Sequence, residues 1–127
     1  MLNVFAVFKL TKVLFQNFIK NESSICNITS MGGINGSAKF PGLIGYSSSK
    51  GALSILTECM AEEFKDYGIN VNALALGAVQ TEMLSSAFPG YIANVSAEEM
   101  ANYISHFLEK DIRLFNGKII SVSNSMP

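Results

Sequence analysis

Charge is what this sequence has least of. Only 15% of its 127 residues are Asp, Glu, Lys or Arg, against 49% hydrophobic, where an ordinary globular domain carries about 25% charge. The formal net charge is -1 and the basic residues are scattered, so nothing favours nucleic acid or an anionic membrane surface. Histidine occurs once, at His106, and cysteine only at Cys26 and Cys59. That scarcity indicates no metal site. Two cysteines in separate elements read as free thiols, which points to a reducing compartment and a cytoplasmic protein. Long apolar runs are missing too. Lys9 and Lys12 interrupt the apolar start, leaving no stretch near the ~18–20 residues that span a bilayer. The start has no small-residue cleavage site either, so no signal peptide is expected. The Asn-x-Ser/Thr sequons at Asn21, Asn27, Asn35 and Asn94 carry no weight in an intracellular protein.

What is present reads as one domain over residues 1–127, large enough to bury a core. Its apolar excess implies burial against a neighbour or membership of a larger body. Val4, Val7, Phe8, Val13, Leu14, Phe15 and Phe18 recur at helical spacing, predicting a helix over 2–19. Residues 20–23 form a polar turn, and 24–29 read as a strand running into the Gly-rich loop Met31-Gly32-Gly33-Ile34-Asn35-Gly36. A second helix is expected over 44–67, with Ala52, Leu53, Leu56, Met60 and Phe64 along one side and Gly68 as its stop. Residues 69–76 form a near-continuous apolar run, the mark of a strand buried on both faces. Ser96-Ala97-Glu98-Glu99 has the spacing of a capping box and opens a helix to about Leu108. Asn116-Gly117 turns the chain into a last strand over 118–122. This alternation describes parallel crossover units, hence an α/β protein.

The chemistry concentrates in Tyr46-Ser47-Ser48-Ser49-Lys50. A Tyr and a Lys four apart on a helix share one face. A phenol is a poor acid–base catalyst at neutral pH, and a cation beside it favours the phenolate. Taken alone, that spacing also describes a partly solvated helix face. Upstream, Asn27-Ile28-Thr29-Ser30 ends a strand with a hydroxyl, where open parallel sheets place ligands. Ser30 there either donates to a substrate oxygen or bonds local backbone in the turn.

These segments, together with Gly68-Ile69-Asn70-Val71-Asn72-Ala73-Leu74-Ala75-Leu76-Gly77-Ala78-Val79-Gln80-Thr81-Glu82-Met83, resemble the short-chain dehydrogenase/reductases in type, order and spacing over nearly the whole chain. The resemblance implies a partial Rossmann-like, doubly wound parallel sheet, the C-terminal half of that fold. It implies an NAD(P)-dependent oxidoreductase that moves hydride between a nicotinamide and a small-molecule alcohol or carbonyl substrate, with NAD or NADP as cofactor. Tyr46 would be the catalytic acid/base. Lys50 would favour its phenolate and hold the nicotinamide ribose, and Ser30 would polarise the carbonyl. Leu2-Asn3-Val4-Phe5-Ala6-Val7-Phe8 resembles the segment carrying the fourth catalytic residue, so Asn3 either helps a water relay protons to Lys50 or caps the first helix. Tyr46, Lys50, Gly77, Val79 and Thr81 would contact the cofactor, and the segment after Thr81, with Met83, Leu84 and Phe88, would form a substrate lid.

The sequence departs from the family pattern in three ways. Leu76 stands where the family has proline. Ser123-Asn124-Ser125 replaces its terminal Asp-Gly-Gly. The Gly-rich nucleotide-binding turn between a first strand and a helix is not found here. The expectation is therefore a truncated form of the enzyme, and the alternative is a non-catalytic remnant or oligomerising scaffold derived from one. The resemblance also implies a homo-oligomer assembled through helices 2–19 and 44–67.

Overall fold

The computed structural model describes residues 2–21 and 23–124. Glu22 of the expected turn and Ser125 of the altered C-terminal segment lie outside the described residues. A π-helical turn, Leu2–Ala6, leads into helix α1, Val7–Lys20. Strand β1, Ser24–Ser30, is followed by a 3-10 turn over Met31–Gly33. Helix α2 spans Ile44–Phe64 and tightens into a 3-10 turn, Lys65–Tyr67. It stops at Gly68, whose φ of 71° is left-handed backbone that favours glycine. Strand β2, Asn70–Leu76, then leads through the short helix α3, Glu82–Ala87, to helix α4, Ala97–His106, and strand β3, Ile119–Val122.

The three strands are parallel in the order β1-β2-β3. Side chains alternate across a sheet, and two apolar clusters follow from that alternation. Val71 packs with Met60, Ala61 and Ile69, joined by Ile25 of β1 and by Phe15, Phe18 and Ile19 of α1. Leu74 packs on the opposite face with Phe107 and Ile112, joined by Cys26, Ile104, Ile120 and Val122. Helices α1 and α2 thus cover one face, and α4 with its extension covers the other. Both crossovers step one strand in the same direction but pass over opposite faces, so they are of opposite hand. One of them departs from the right-handed rule for parallel strands.

Two expectations need correction. Helix α4 does not end near Leu108; it runs on as a π turn, Phe107–Asp111, and a 3-10 turn, Ile112–Leu114. The reason is packing, since this extension buries Phe107 and Ile112 against the sheet. The second concerns length. Leu2–Lys20 is continuous helix over 19 residues, long and apolar enough by length and composition to cross a bilayer, because Lys9 and Lys12 lie along it without breaking it. Its inner side nevertheless belongs to the fold, through Phe15, Phe18 and Ile19.

Candidate active site

Parallel pairing brings the ends of β1 and β2 level, with Ser30 opposite Leu76. Ser30 therefore stands beside the Gly77–Thr81 segment at the carboxyl edge of the sheet. The Ser30 hydroxyl accepts from the Gly32 amide at 3.1 Å. That bond uses a lone pair, leaving the hydroxyl proton available to a ligand, so the turn-residue and donor readings of Ser30 are compatible.

Tyr46 sits in the first turn of α2, and that turn contains no acidic residue. The positive end of a helix dipole favours negative charge placed there. A Cβ added at Gly32 would lie 3.5 Å from Ser30 Oγ and 4.0 Å from Tyr46 Cε1. Ser47 Oγ is nearer still, at 3.3 Å, so Ser30, Ser47 and the edge of the Tyr46 ring border one small space that glycine leaves open. Tyr46 is 38% exposed, so the phenol remains within reach of a ligand.

Lys50 Nζ lies 5.9 Å from the Tyr46 ring centroid and donates to the Ile28 carbonyl at 3.0 Å. Burial pushes the Lys50 ammonium below its ordinary range. Asn3 lies in the π-helical turn ahead of α1, not at a cap. Its side-chain amide donates to Ser49 Oγ at 2.9 Å, and the Ser49 hydroxyl donates to the Tyr46 carbonyl at 2.8 Å. Asn3 is thereby tied to the helix turn that carries Tyr46. Ser49 was passed over in the sequence: its bond back to Tyr46 is an ordinary local one for a helical serine, and nothing in the spacing announces Asn3, 46 positions away.

The segment after β2 is fixed by backbone and glycine. Gly77 N–H donates to the Val122 carbonyl at 2.9 Å. A Cβ at Gly77 would fall 2.8 Å from Ser123 Cβ, so only glycine fits that seam. Val79 follows, half-buried, and Thr81 caps α3 by accepting from the Leu84 amide at 3.2 Å. Gln80, also missed in the sequence, pins the loop. Its Oε1 accepts from the Ala93 amide at 2.8 Å, and its backbone amide donates to the Val95 carbonyl at 2.9 Å. The 81–94 segment is therefore closed at its base. Phe88 of this segment meets Phe40 of the loop after Ser30, with ring centroids 5.3 Å apart at 74°. A hollow of about 430 Å³ lies behind that loop, lined in part by Gly32, Ile34, Phe40, Leu43 and Ile44. The structure thus gathers Asn3, Ser30, Tyr46 and Lys50 at one corner, with Gly77, Val79 and Thr81 on the adjoining strand end.

The family model for short chain dehydrogenases matches residues 1–91. An uncharacterised oxidoreductase of Schizosaccharomyces pombe is 38% identical over 87 residues, covering 68% of this chain and 29% of that protein. A 7α-hydroxysteroid dehydrogenase, solved with NADH and 7-oxo glycochenodeoxycholic acid, superposes with a TM-score of 0.84 at 28% identity, covering 98% of this chain and 52% of that one. ElxO, solved with NADP bound, gives a TM-score of 0.75 at 28% identity over 94% of this chain and 53% of its own. The chain thus spans about half the length of these solved structures, and under a third of the yeast relative.

Proposed function

The chain belongs to the short-chain dehydrogenase family, and from that premise we propose that it serves as an NAD(P)-dependent oxidoreductase acting on an alcohol/carbonyl pair. The observation that carries this reading is the convergence of Ser30 and Tyr46 on the space left by Gly32, with Lys50 behind the phenol. The neighbouring structures solved with NADH or NADP support a nicotinamide cofactor. The strand-end segment with Gly77, Val79 and Thr81 suits its nicotinamide end, since open parallel sheets bind ligands past their carboxyl edges.

When bound, the cofactor supplies or accepts the hydride. In the reducing direction, Ser30 donates its hydroxyl proton as a hydrogen bond to the carbonyl oxygen. Tyr46 transfers its phenolic proton to that oxygen as hydride reaches the carbon, giving the alcohol. The phenolate left behind is stabilised by the Lys50 ammonium and the start of α2. Lys50 would also hold the ribose of the bound cofactor, and Asn3, through Ser49, steadies the helix turn under Tyr46. The apolar side chains of Phe40, Met83 and Phe88 suit an apolar or mixed substrate. The chain self-associates through the outer sides of α1 and α2, where Leu10, Val13 and Ile55 are exposed, and it resides in the cytoplasm, as its free thiols suggest.

The test is turnover of the purified chain with NADH or NADPH against a panel of aldehydes and ketones. Turnover that falls roughly 10²–10⁴-fold in Tyr46→Phe, the range a general acid contributes, supports the enzyme. Absence of cofactor binding would leave the oligomerising scaffold, which size-exclusion chromatography with light scattering would reveal.

A further inference from the structure

We propose that Thr29 and Gly33 are the positioning residues of Lys50, fixing where its ammonium stands relative to Tyr46. This rests on the role given to Lys50 above. Lys50 is a long, flexible side chain, so its reach depends on where its backbone is held. Three contacts hold it. Thr29, 2% exposed, donates its hydroxyl to the Lys50 carbonyl at 2.8 Å. The Ser54 hydroxyl lies 3.1 Å from the same carbonyl and 3.3 Å from Thr29 Oγ1. On the other flank, the chain at Gly33 lies directly on the helix. A Cβ there would stand 2.7 Å from the Lys50 carbonyl carbon and from the Gly51 amide nitrogen, and one at Gly51 would stand 3.2 Å from the Gly33 oxygen.

Thr29 and Gly33 flank Ser30 in sequence. The same short segment that presents the Ser30 hydroxyl therefore grips the peptide of Lys50. The ammonium end returns to this strand as well, on the Ile28 carbonyl. Ser30 and Lys50 are set as one unit, and an error in one displaces the other.

The molecule contains its own control. Asn27, two residues earlier on β1, donates to Thr57 Oγ1 at 2.9 Å, and Thr57 donates to the Leu53 carbonyl at 2.8 Å. This tie joins the same strand and helix, but nearly two turns beyond Lys50. Both ties contribute to the packing of α2 on β1; only the one at Thr29 touches Lys50.

The experiment uses the whole chain with its lysines reductively ¹³C-dimethylated, following the NMR titration of Lys50 in Thr29→Val, Thr29→Ser and Thr57→Val. Lys50 is expected to titrate apart from the other lysines in the unaltered chain and in Thr57→Val. It should move toward them in Thr29→Val and return in Thr29→Ser. Thr57→Val should lower the melting temperature without moving Lys50. An unchanged Lys50 titration in Thr29→Val, or an equal change in Thr57→Val, overturns the proposal. If Thr29→Val does not fold, Ser54→Ala replaces it, with a smaller shift in the same direction expected and no shift counting against the idea. In turnover, Thr29→Val should lower kcat roughly tenfold, less than the ~10²-fold that a full 1 Å misplacement can cost, with the KM of the carbonyl substrate unchanged. Should the unaltered chain show no turnover while Lys50 responds as described, the hydride-transfer reading falls and the positioning role stands.

Discussion

Strands β1 and β2 lie side by side, each seven residues long, yet burial treats them in opposite ways. In β2 every residue from Val71 to Ala75 is completely buried, Asn72 included. In β1 the buried residues are the polar ones, Asn27 and Thr29, while Ile28 is 38% exposed. Position in the sheet explains the difference. β2 has a strand on each side and a helix layer on each face. β1 is an edge strand in this chain, covered at Asn27 and Thr29 only by α2, whose Thr57, Ser54 and Lys50 carbonyl supply polar partners. Hydropathy alone would have ranked Ile28 as core and Thr29 as surface. What buries a residue here is the neighbour on its face, and what makes burial tolerable for Asn or Thr is a hydrogen-bond partner.

The sharpest way to break this contrast is to truncate one apolar residue in each strand. Leu74→Ala should cost about 2–5 kcal/mol, because Phe107 and Ile112 are held by the fold and collapse only partly into the cavity. Ile28→Ala should change stability by about 0.5 kcal/mol or less, the range of exposed substitutions. Urea unfolding of both, compared at constant m-value, measures the difference, and equal losses would mean that β1 is walled in as β2 is. A smaller effect tests the polar side. Asn72 donates to the Phe115 carbonyl at 2.8 Å and accepts from the Lys118 amide at 3.0 Å. Asn72→Ala should cost about 1–3 kcal/mol, the penalty for stranding buried polar groups, read from the same denaturation curves.

The smallest effect is chemical. Burial pushes the Cys26 thiol of β1 up to about 11, with a bond to the Leu74 backbone opposing it, while Cys59 on α2 is exposed. A disulfide-exchange reagent at neutral pH should therefore label Cys59 promptly and leave Cys26 slow. The sign for stability follows from the raised folded value. The contribution of the neutral Cys26 thiol is whole below the unfolded thiol's pKa near 9. It is lost as pH climbs from there towards 11, where the unfolded chain ionises first. A melting temperature that rises over that interval in the native chain relative to Cys26→Ser would contradict this.

Local devices were legible in the sequence. The capping box at Ser96 and Glu99 is present, with Ser96 accepting from the Glu99 amide, and Gly68 ends its helix as expected. The four-residue spacing of Tyr46 and Lys50 does place both toward one corner. These readings succeed because a helix or a turn is specified by residues within a few positions of one another. Contacts across long loops were not legible. Asn3 meets Ser49 across 46 positions, and Gln80 reaches Ala93 across 13; nothing in either neighbourhood advertises the partner. The extension of α4 through a π turn was hidden for a related reason, since tertiary packing of Phe107 and Ile112 holds a segment that helical periodicity does not demand.

The bond from Lys50 to the Ile28 carbonyl has a bearing on colloidal behaviour. An edge strand with unpaired backbone groups is a template for strand addition by other molecules, and a lysine laid against it is one of the ways proteins blunt that hazard. Lys50 occupies an acceptor of β1 beside an exposed isoleucine. Replacing it with alanine would uncover a sticky strip as well as remove a charge, so under the proposed function aggregation and loss of turnover would arrive together. Tyr46→Phe, which leaves that acceptor covered, separates them.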